Sequence, residues 1–367
     1  MRKLNNRSWI PLIGWISQKH INAIISNKYI LSCVCDKQYN RAQDTATKYR
    51  NATGESPIII QDINKFLLHD LDLVTIATDS GSHFEIAKKC LLSHKNVLIE
   101  KPLSLSTFEA IELDKLARLC NCFLGVCYQK RYNKPVHYLL KAINDNRFGR
   151  IFSIDVQTLW NRNNDYYKAD RWRGTWMNDG GVLMNQSIHS IDIAQRCIND
   201  EPEEIFAMIK NFNHPTIEAE DYGTLLVKFK NGAILTMKGT VNCFKENYKE
   251  TLLVIGENGI VEIGGCALDK MITWKFQDIK KYDDDVWNAA HSINQIYGDG
   301  HRHIYKEVYN CIKHGKIFEI NAKEALKSLN IVLAAYKSAI TNQPVDMHDF
   351  SFSLQDVASY LDNLQTK

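Results

Sequence analysis

The sequence predicts an α/β protein of two domains. Residues 1–125 are predicted to form a doubly wound parallel sheet, and residues 126–367 an α+β domain with an open, mostly antiparallel sheet. Three observations lead to this prediction. Short, continuously apolar runs alternate with amphipathic helical stretches at the start of the chain, and segments with period-two hydrophobicity dominate the rest. In addition, 367 residues are more than one domain usually contains.

The first domain is predicted from the alternation of strand-like and helix-like segments. Strands that are apolar throughout, separated by amphipathic helices, are typical of a parallel sheet covered on both faces. The strand-like segments are WIPLIG (9–14), ILSCVCD (30–36), PIII (57–60), DLVTIAT (72–78), NVLIE (96–100) and CFLGVCY (122–128).

The second domain is predicted from strands in series joined by tight turns. KNGA (230–233) and GENG (256–259) are hairpin signals, because glycine adopts the positive backbone angle that such turns need. Helices predicted around 134–148, 182–198 and 322–341 cover one face of the sheet. The other face would be covered by a second copy, which predicts a homo-oligomer, a dimer or a tetramer, packed sheet to sheet.

Composition narrows the classes of partner. The chain has 45 basic and 42 acidic residues, so a net charge of +3 favours neither a nucleic acid nor a membrane surface. The ten cysteines contain no CxxC pair, and no cluster has the spacing of a metal site, so no metal is expected. With no secretory signal and no run of about 20 apolar residues, we expect a soluble, cytoplasmic protein.

A nucleotide site is predicted after the first strand. The turn residues Gly14, Trp15 and Ile16 would let a pyrophosphate approach the start of the following helix, where free N–H groups favour anions. Asp36 ends the second strand and would bind a ribose hydroxyl, while repelling a 2′-phosphate, which favours NAD over NADP. The segment LIGWIS departs from the usual GxGxxG pattern, so the alternative is a doubly wound domain that binds no dinucleotide.

Two further segments carry candidate catalytic groups. Glu100, Lys101 and Pro102 follow a buried strand at the edge where ligands bind in parallel sheets, although a turn with Lys101 in solvent is the alternative. Asn185 and His189 are four residues apart and would share one face of a helix. Asp192 would orient the His189 imidazole, unless His189 is a structural histidine. Tyr167, Arg171 and Arg173 precede this helix and suit a sugar ring and an anionic group.

These segments resemble a known family. EKP at 100–102, GGVLMNQSIH at 180–189 and the sheet-rich second half are similar to the glucose-fructose oxidoreductase/inositol dehydrogenase (Gfo/Idh/MocA) family. The resemblance implies an NAD-binding Rossmann domain and a dehydrogenase activity. Four further segments resemble the branch of this family that acts on UDP-linked N-acetylglucosaminuronate, namely WRGTW (172–176), DGGVLMNQSIH (179–189), LVIGENGIVEIGG (253–265) and YGDGH (297–301).

The resemblance to that branch implies NAD-dependent oxidation of the sugar C3 hydroxyl to a ketone, in the synthesis of amino sugars for surface polysaccharides. Lys101 and His189 would be catalytic, and Asn185 occupies a position that is aspartate in many family members. We expect His189 to be the general base and Lys101 to stabilise the developing alkoxide, but Lys101 is the base if burial lowers its pKa. The resemblance also places Thr78, His83, Glu100 and Lys101 at the cofactor. The substrate contacts would be Arg131, Tyr167, Arg171, Arg173 and Asn185.

Two other functions fit the same residues. One is a dehydrogenase of the same family that acts on a free polyol or inositol. The other is a non-catalytic sensor of sugar nucleotides, which the incomplete glycine pattern at Gly14 would favour.

Overall fold

The computed structural model describes residues 7–11, 17–289 and 300–365 of the chain, which divides into two compact units. The first comprises Met1–Tyr128 and Asp299–Leu326, and the second comprises Gln129–Gly298 and Lys327–Lys367. The predicted division at residue 125 placed everything after it in one domain. In the structure the segment Asp299–Leu326 belongs instead to the first unit.

The first unit contains a six-stranded parallel sheet, which confirms the doubly wound class. The strand order is β3-β2-β1-β4-β5-β6. Every residue of β4 and β6 is buried, as expected for strands covered on both faces. The strands are β1 (Arg7–Pro11), β2 (Ile30–Cys35), β3 (Ile58–Ile60), β4 (Leu73–Ile76), β5 (Asn96–Glu100) and β6 (Leu124–Cys127).

The second unit contains an eight-stranded sheet in the order β13-β12-β11-β7-β10-β9-β8-β14, antiparallel except for the parallel pair β7 and β10. Buried and exposed residues alternate along β9 and β10, so one face packs on the core. The KNGA turn joins these two strands, and Gly232 has φ 84° as the turn requires. The strands are β7 (Ile151–Leu159), β8 (Pro202–Lys210), β9 (Tyr222–Phe229), β10 (Ile234–Thr240), β11 (Lys249–Gly256), β12 (Gly259–Gly264), β13 (Lys270–Phe276) and β14 (Val345–Asp346).

The helices of the described residues include the three that the sequence predicts for the second domain, which correspond to α6, α8 and α11. They are α1 (Ser17–Ser26), α2 (Tyr39–Thr53), α3 (Ile63–Leu67), α4 (His83–Leu92), α5 (Thr107–Leu119), α6 (Lys134–Asn144), α7 (Asn164–Lys168), α8 (Ile188–Ile198), α9 (Asp283–Ala289), α10 (Gly300–His314), α11 (Ala322–Thr341) and α12 (Leu354–Gln365). A π-helical turn, Leu183–Ser187, leads directly into α8. Along the parts of the chain described, none of the helices combines the length and apolar character needed to cross a membrane.

Helix α10 completes the first unit from a distant part of the chain. It packs against α1, and the N–H of Val126 in β6 donates to the Ile320 carbonyl at 2.9 Å. The return of this segment brings buried polar side chains next to the sheet. Hydrophobic periodicity did not predict this, because it reports which face of a helix is apolar and not which element that face meets.

Candidate active site

Glu100 lies at the end of β5 with its carboxylate buried and fully engaged. The residue is 4% exposed. Its Oε1 atom lies 3.0 Å from the Nε2 atoms of both His20 and His301, and its Oε2 atom accepts the backbone N–H of Lys101 at 3.2 Å. Burial acts to raise the pKa of this carboxyl, but the hydrogen bonds from the two imidazoles outweigh it and hold the pKa well below the usual range. Glu100 is therefore a buried, charged group beside the backbone of Lys101.

One of the residues predicted to line the cofactor site, His83, contacts the segment that follows Glu100. His83 is 1% exposed, and its ring nitrogens lie 2.7 Å from the Pro102 carbonyl and 3.3 Å from the Thr78 carbonyl. Burial lowers the pKa of His83, so the ring is neutral and donates from Nδ1 to Pro102. The structure places the His83 imidazole against protein backbone, while the Thr78 hydroxyl accepts from Ser82 at 2.7 Å. The Lys101 side chain is half-buried.

Asp36 fits the predicted contact to a ribose. The residue is 2% exposed, and its Oδ1 atom accepts the backbone N–H of Gln38 at 2.7 Å. Its Oδ2 atom is buried without a hydrogen-bond partner among the residues described. A buried acceptor without a donor is costly unless a ligand supplies one, and a ribose hydroxyl is such a donor. The predicted turn residues Gly14, Trp15 and Ile16 lie outside the described residues.

Asn185 and His189 lie on consecutive turns at the start of the helical segment that ends with α8. His189 is 5% exposed, and Gln129 Nε2 lies 3.5 Å from its Nε2 atom. With the amide as donor, the imidazole nitrogen accepts, which is the neutral form that a general base needs. Asn185 Nδ2 donates to Asp179 Oδ1, and the other oxygen of Asp179 accepts the backbone N–H of Gly174 at 2.8 Å. A buried carboxylate thus orients the Asn185 amide.

A second buried carboxyl, Glu220, lies at the start of the same helical segment. Its Oε1 atom accepts the backbone N–H of Leu183 at 2.9 Å and the Tyr336 hydroxyl at 3.0 Å. Burial raises the pKa of Glu220 to about 8, so the carboxyl is neutral at neutral pH. A Cβ at Gly181 would lie 2.0 Å from Glu220 Oε2, which explains why glycine occupies this position. Sequence reasoning did not find Glu220, since nothing in its local pattern signals contact with a helix 37 residues away.

Two of the predicted aromatic and guanidinium residues, Tyr167 and Arg173, both contact Tyr166 in the second unit. Arg173 lies 4.1 Å from the Tyr166 ring centroid and forms an ion pair with Asp170 at 3.1 Å. Gln186 Nε2 lies 3.5 Å from the Tyr166 hydroxyl, which connects this group to the π-helical turn. Tyr167 is buried in an edge contact with His214, whereas Arg171 is exposed.

Arg131, which is predicted to contact the substrate, is buried in an ion pair. It is 6% exposed, and its Nε and Nη2 atoms donate to the two carboxylate oxygens of Asp192, both at 2.7 Å. This bidentate pair engages both oxygens of Asp192, the group that the sequence assigned to orienting His189. Arg131 therefore fixes α8 through Asp192, and the physical reason is that a buried guanidinium needs a carboxylate partner.

Comparison with known families identifies the chain. Residues 12–128 match the family model described as the NAD-binding Rossmann fold of the GFO/IDH/MocA oxidoreductases, and residues 140–347 match the model of the C-terminal alpha/beta domain. The chain belongs to the Gfo/Idh/MocA oxidoreductase family. The predicted cofactor, NAD, is confirmed by this membership, because the matched N-terminal domain is the family's NAD-binding domain.

Solved structures and curated proteins that are similar to this chain include two dehydrogenases in complex with a sugar nucleotide and an inositol dehydrogenase. The WlbA dehydrogenases of Chromobacterium violaceum and Bordetella pertussis, each in complex with NADH and UDP-GlcNAcA, are both 29% identical to it, with TM-scores of 0.84 and 0.86. The alignments cover 93% of this chain in both cases, and 95% and 97% of the other chains. Among curated proteins, myo-inositol 2-dehydrogenase of Thermotoga maritima is 23% identical over 92% of this chain and 96% of its own length.

Proposed function

We propose that the protein is an NAD-dependent dehydrogenase that oxidises the C3 hydroxyl of UDP-linked N-acetylglucosaminuronate to a ketone, in the synthesis of amino sugars for surface polysaccharides. The observation that carries the proposal is the likeness, over 93% of the chain, to two dehydrogenases that hold NADH together with UDP-GlcNAcA. The half-buried Asn185 and the buried His189 support the same reaction, since they provide an oriented amide and a neutral imidazole on one helical segment.

His189 is assigned as the general base that removes the hydroxyl proton. The contact with Gln129 favours an imidazole with a lone pair on Nε2. Lys101 is assigned to the same hydroxyl oxygen, where its ammonium would stabilise the developing negative charge. Asn185 is assigned to orient the sugar, and its hydrogen bond to Asp179 fixes the direction in which its carbonyl oxygen points.

NAD would be held by residues of the first unit. Asp36 would bind a ribose hydroxyl through its buried Oδ2 atom, and Gly14, Trp15 and Ile16 would provide backbone contacts. Thr78, His83 and Glu100 would shape the nicotinamide end, with His83 and Glu100 acting through the backbone of residues 101 and 102. The chemistry that NAD supplies when bound is acceptance of the hydride from C3.

Arg171, Arg173 and Tyr167 are assigned to the uronate and the nucleotide of the substrate. Guanidinium groups suit carboxylate and phosphate, and the contact between Arg173 and the Tyr166 ring holds one guanidinium at a fixed place. Arg131 stays a predicted substrate contact, and two of its nitrogens pair with Asp192.

A second candidate, oxidation of a free polyol, is favoured by the curated relatives that are inositol dehydrogenases. Turnover of UDP-N-acetylglucosaminuronate and of myo-inositol with NAD, each with and without 2-oxoglutarate, separates the two. We expect turnover of the sugar nucleotide and none of myo-inositol. Turnover is detected as reduced nicotinamide, or as the keto sugar when 2-oxoglutarate reoxidises the nicotinamide. Turnover of myo-inositol but not of the sugar nucleotide would establish that the protein is a polyol dehydrogenase. No turnover, combined with a rise of the melting temperature on adding the sugar nucleotide, would establish a sensor.

The outward face of the second sheet is proposed to be covered by a second copy of the chain. Apolar side chains are exposed on adjacent strands of this face, namely Met208 (56%), Leu226 (48%) and Ile234 (43%). Leu226→Glu should therefore dissociate a dimer or tetramer in sedimentation, while Lys228→Glu, on the same face and already charged, should not. A wild-type protein that sediments as a monomer would reject this proposal.

A further inference from the structure

A cluster of three buried polar side chains surrounds the segment that carries Lys101. His20 comes from α1, Glu100 from the end of β5 and His301 from α10, and they are 0%, 4% and 3% exposed. The two imidazole rings meet edge to face, with their centroids 4.9 Å apart, and both Nε2 atoms lie 3.0 Å from Glu100 Oε1. Histidines from two helices that are distant in sequence thus contact one carboxylate oxygen at the end of β5.

The hydrogen bonds that extend from this cluster through Tyr305 to Thr75 can all be given donors and acceptors without conflict. The Thr75 hydroxyl lies 2.9 Å from the Tyr305 hydroxyl, which lies 3.1 Å from Nδ1 of His20. If Tyr305 donates to Nδ1, then Nε2 of His20 carries the proton that it donates to Glu100. Burial raises the pKa of Tyr305 and lowers that of His20, so both keep the protonation state that this direction requires.

The same three side chains also resemble a metal site in composition. Their ligand atoms lie within 4.8 Å of one another, and two histidines with a glutamate are a familiar zinc set. However, each nitrogen–oxygen distance is that of a hydrogen bond, and the hydroxyl of Tyr305 already satisfies the far nitrogen of His20. Hydrogen bonding therefore accounts for the cluster without an ion.

The cluster acts on the backbone of Lys101. The carboxylate oxygen that the imidazoles leave open, Oε2, accepts the N–H of Lys101 at 3.2 Å. On the adjacent strand, Cys127 pairs in register with Glu100, and its thiol faces the same carboxylate. A carboxylate fixed at both oxygens fixes the residue bonded to it, whereas a free carboxylate would rotate about its side-chain torsions.

We propose that His20, Glu100 and His301 are positioning residues that set the place of Lys101 for catalysis without touching the substrate. The proposal rests on the proposed function, in which Lys101 stabilises the alkoxide. It assigns a catalytic consequence to α10, whose His301 reaches Glu100 across 201 positions of the chain. A reacting group displaced by about 1 Å costs roughly a hundredfold in rate, so the effect should fall on kcat rather than on KM.

The experiment compares four variants. His301→Leu removes the donor, His301→Gln keeps an N–H near the position of Nε2, Glu100→Gln removes the charge, and His303→Leu is the control on the exposed side of the same helix. We expect kcat to fall about 10- to 100-fold in His301→Leu and Glu100→Gln, with KM for the sugar nucleotide within about threefold of wild type. His301→Gln should recover most of kcat, and His303→Leu should match wild type.

A readout without turnover separates this proposal from the proposed function. Acetic anhydride labels lysines at rates set by their surroundings, and mass spectrometry gives the ratio of labelling at Lys101 to that at the exposed Lys37. We expect this ratio to change about threefold or more in His301→Leu but not in His301→Gln or His303→Leu, because pKa and exposure both set amine reactivity. This result holds even if the enzyme acts on another substrate.

Three outcomes would overturn the proposal. An unchanged labelling ratio in His301→Leu would mean that the cluster does not set the place of Lys101. Loss of kcat in His301→Leu that His301→Gln fails to recover, together with a lower melting temperature in both variants, would mean a purely structural role. Stoichiometric zinc in the purified wild-type protein would mean that the cluster is a metal site.

Discussion

Glu100 in the first unit and Glu220 in the second are both buried carboxyl groups that bond the backbone of a segment carrying a predicted catalytic residue, yet their charge states differ. Two imidazole nitrogens at 3.0 Å keep Glu100 ionised, with its pKa well below the usual range. Glu220 has a backbone N–H and a hydroxyl as partners, and burial raises its pKa to about 8. Burial is common to both, so the partners decide the charge.

This difference indicates two ways of fixing a catalytic group. Near Lys101 the fold supplies a charged anchor with several donors. At the start of the helical segment that carries Asn185 and His189 it supplies a neutral carboxyl, which accepts the backbone N–H of Leu183 without adding a charge.

The largest effect is expected from removing the predicted catalytic groups themselves. Lys101→Ala and His189→Ala should each lower kcat by about 10²–10⁴-fold, the range for a positioned acid-base group. If both groups act on one hydroxyl, kcat of the double variant should be only a little lower than that of the less active single variant. Lys37→Ala and His348→Asn, at exposed positions, are the matched controls. Wild-type turnover in both single variants would reject the assignment.

The charge state of Glu220 predicts how stability depends on pH. Folded Glu220 keeps its proton up to about pH 8, whereas the unfolded carboxyl loses it near the ordinary pKa of 4.5. The folded state therefore binds more protons between these values, and this group makes the free energy of unfolding fall as pH rises. The full change is about 3–5 kcal/mol.

Glu220→Gln, which mimics the protonated form, should remove this contribution. Chemical denaturation of wild type and variant at intervals from pH 5 to pH 8.5 measures it, with Glu218→Gln as the control. We expect the free energy of unfolding of wild type to fall relative to that of Glu220→Gln as pH rises. A difference that stays constant over this range would mean that Glu220 is charged in the folded protein.

Gly181→Ala should disturb the second region through a steric clash. The new Cβ would lie 2.0 Å from the Glu220 side-chain oxygen and 2.1 Å from its carbonyl oxygen, so the start of the helix must move. We expect a loss of about 2–3 kcal/mol in thermal unfolding. Gly181 is not among the glycines with positive φ, so backbone strain does not add to this loss. Gly54→Ala serves as the comparison for strain without a clash, because Gly54 has φ 80° and open space around it. A Gly181→Ala variant as stable as wild type would mean that the contact with Glu220 does not explain the glycine.

The smallest effect is expected from Arg173. If its guanidinium binds the uronate or the pyrophosphate, Arg173→Ala should raise KM for the sugar nucleotide about 10-fold with kcat little changed. Loss of its contact with the Tyr166 ring should lower stability by about 1 kcal/mol. Steady-state kinetics and thermal unfolding measure the two effects, and an unchanged KM would remove Arg173 from the substrate site.

Local features of the sequence predicted the fold class and the candidate residues. The apolar runs of β4 and β6 and the glycine turn at Gly232 have physical signatures within a few residues. The helix bearing Asn185 and His189 was predicted as well, although its first turn is π-helical, which no local pattern signals.

Long-range polar contacts were not predictable from the same signals. The contact of Glu100 with His20 spans 80 positions, and that with His301 spans 201. The residue type of Arg131 suggests an anionic partner but does not indicate that Asp192, 61 positions away, is one. Residue chemistry indicates what a group can bind, but burial and neighbours decide what it does bind.

Transfer of the C3 hydrogen is the most direct test of the proposed reaction. UDP-N-acetylglucosaminuronate carrying deuterium at C3 is incubated with the protein and NAD, and both products are analysed by mass spectrometry and NMR. The proposed reaction predicts deuterium in the reduced nicotinamide and a ketone at C3 of the sugar. Reduced nicotinamide without deuterium, or a sugar that keeps its C3 deuterium under conditions where the protein is folded and binds NAD, would contradict it.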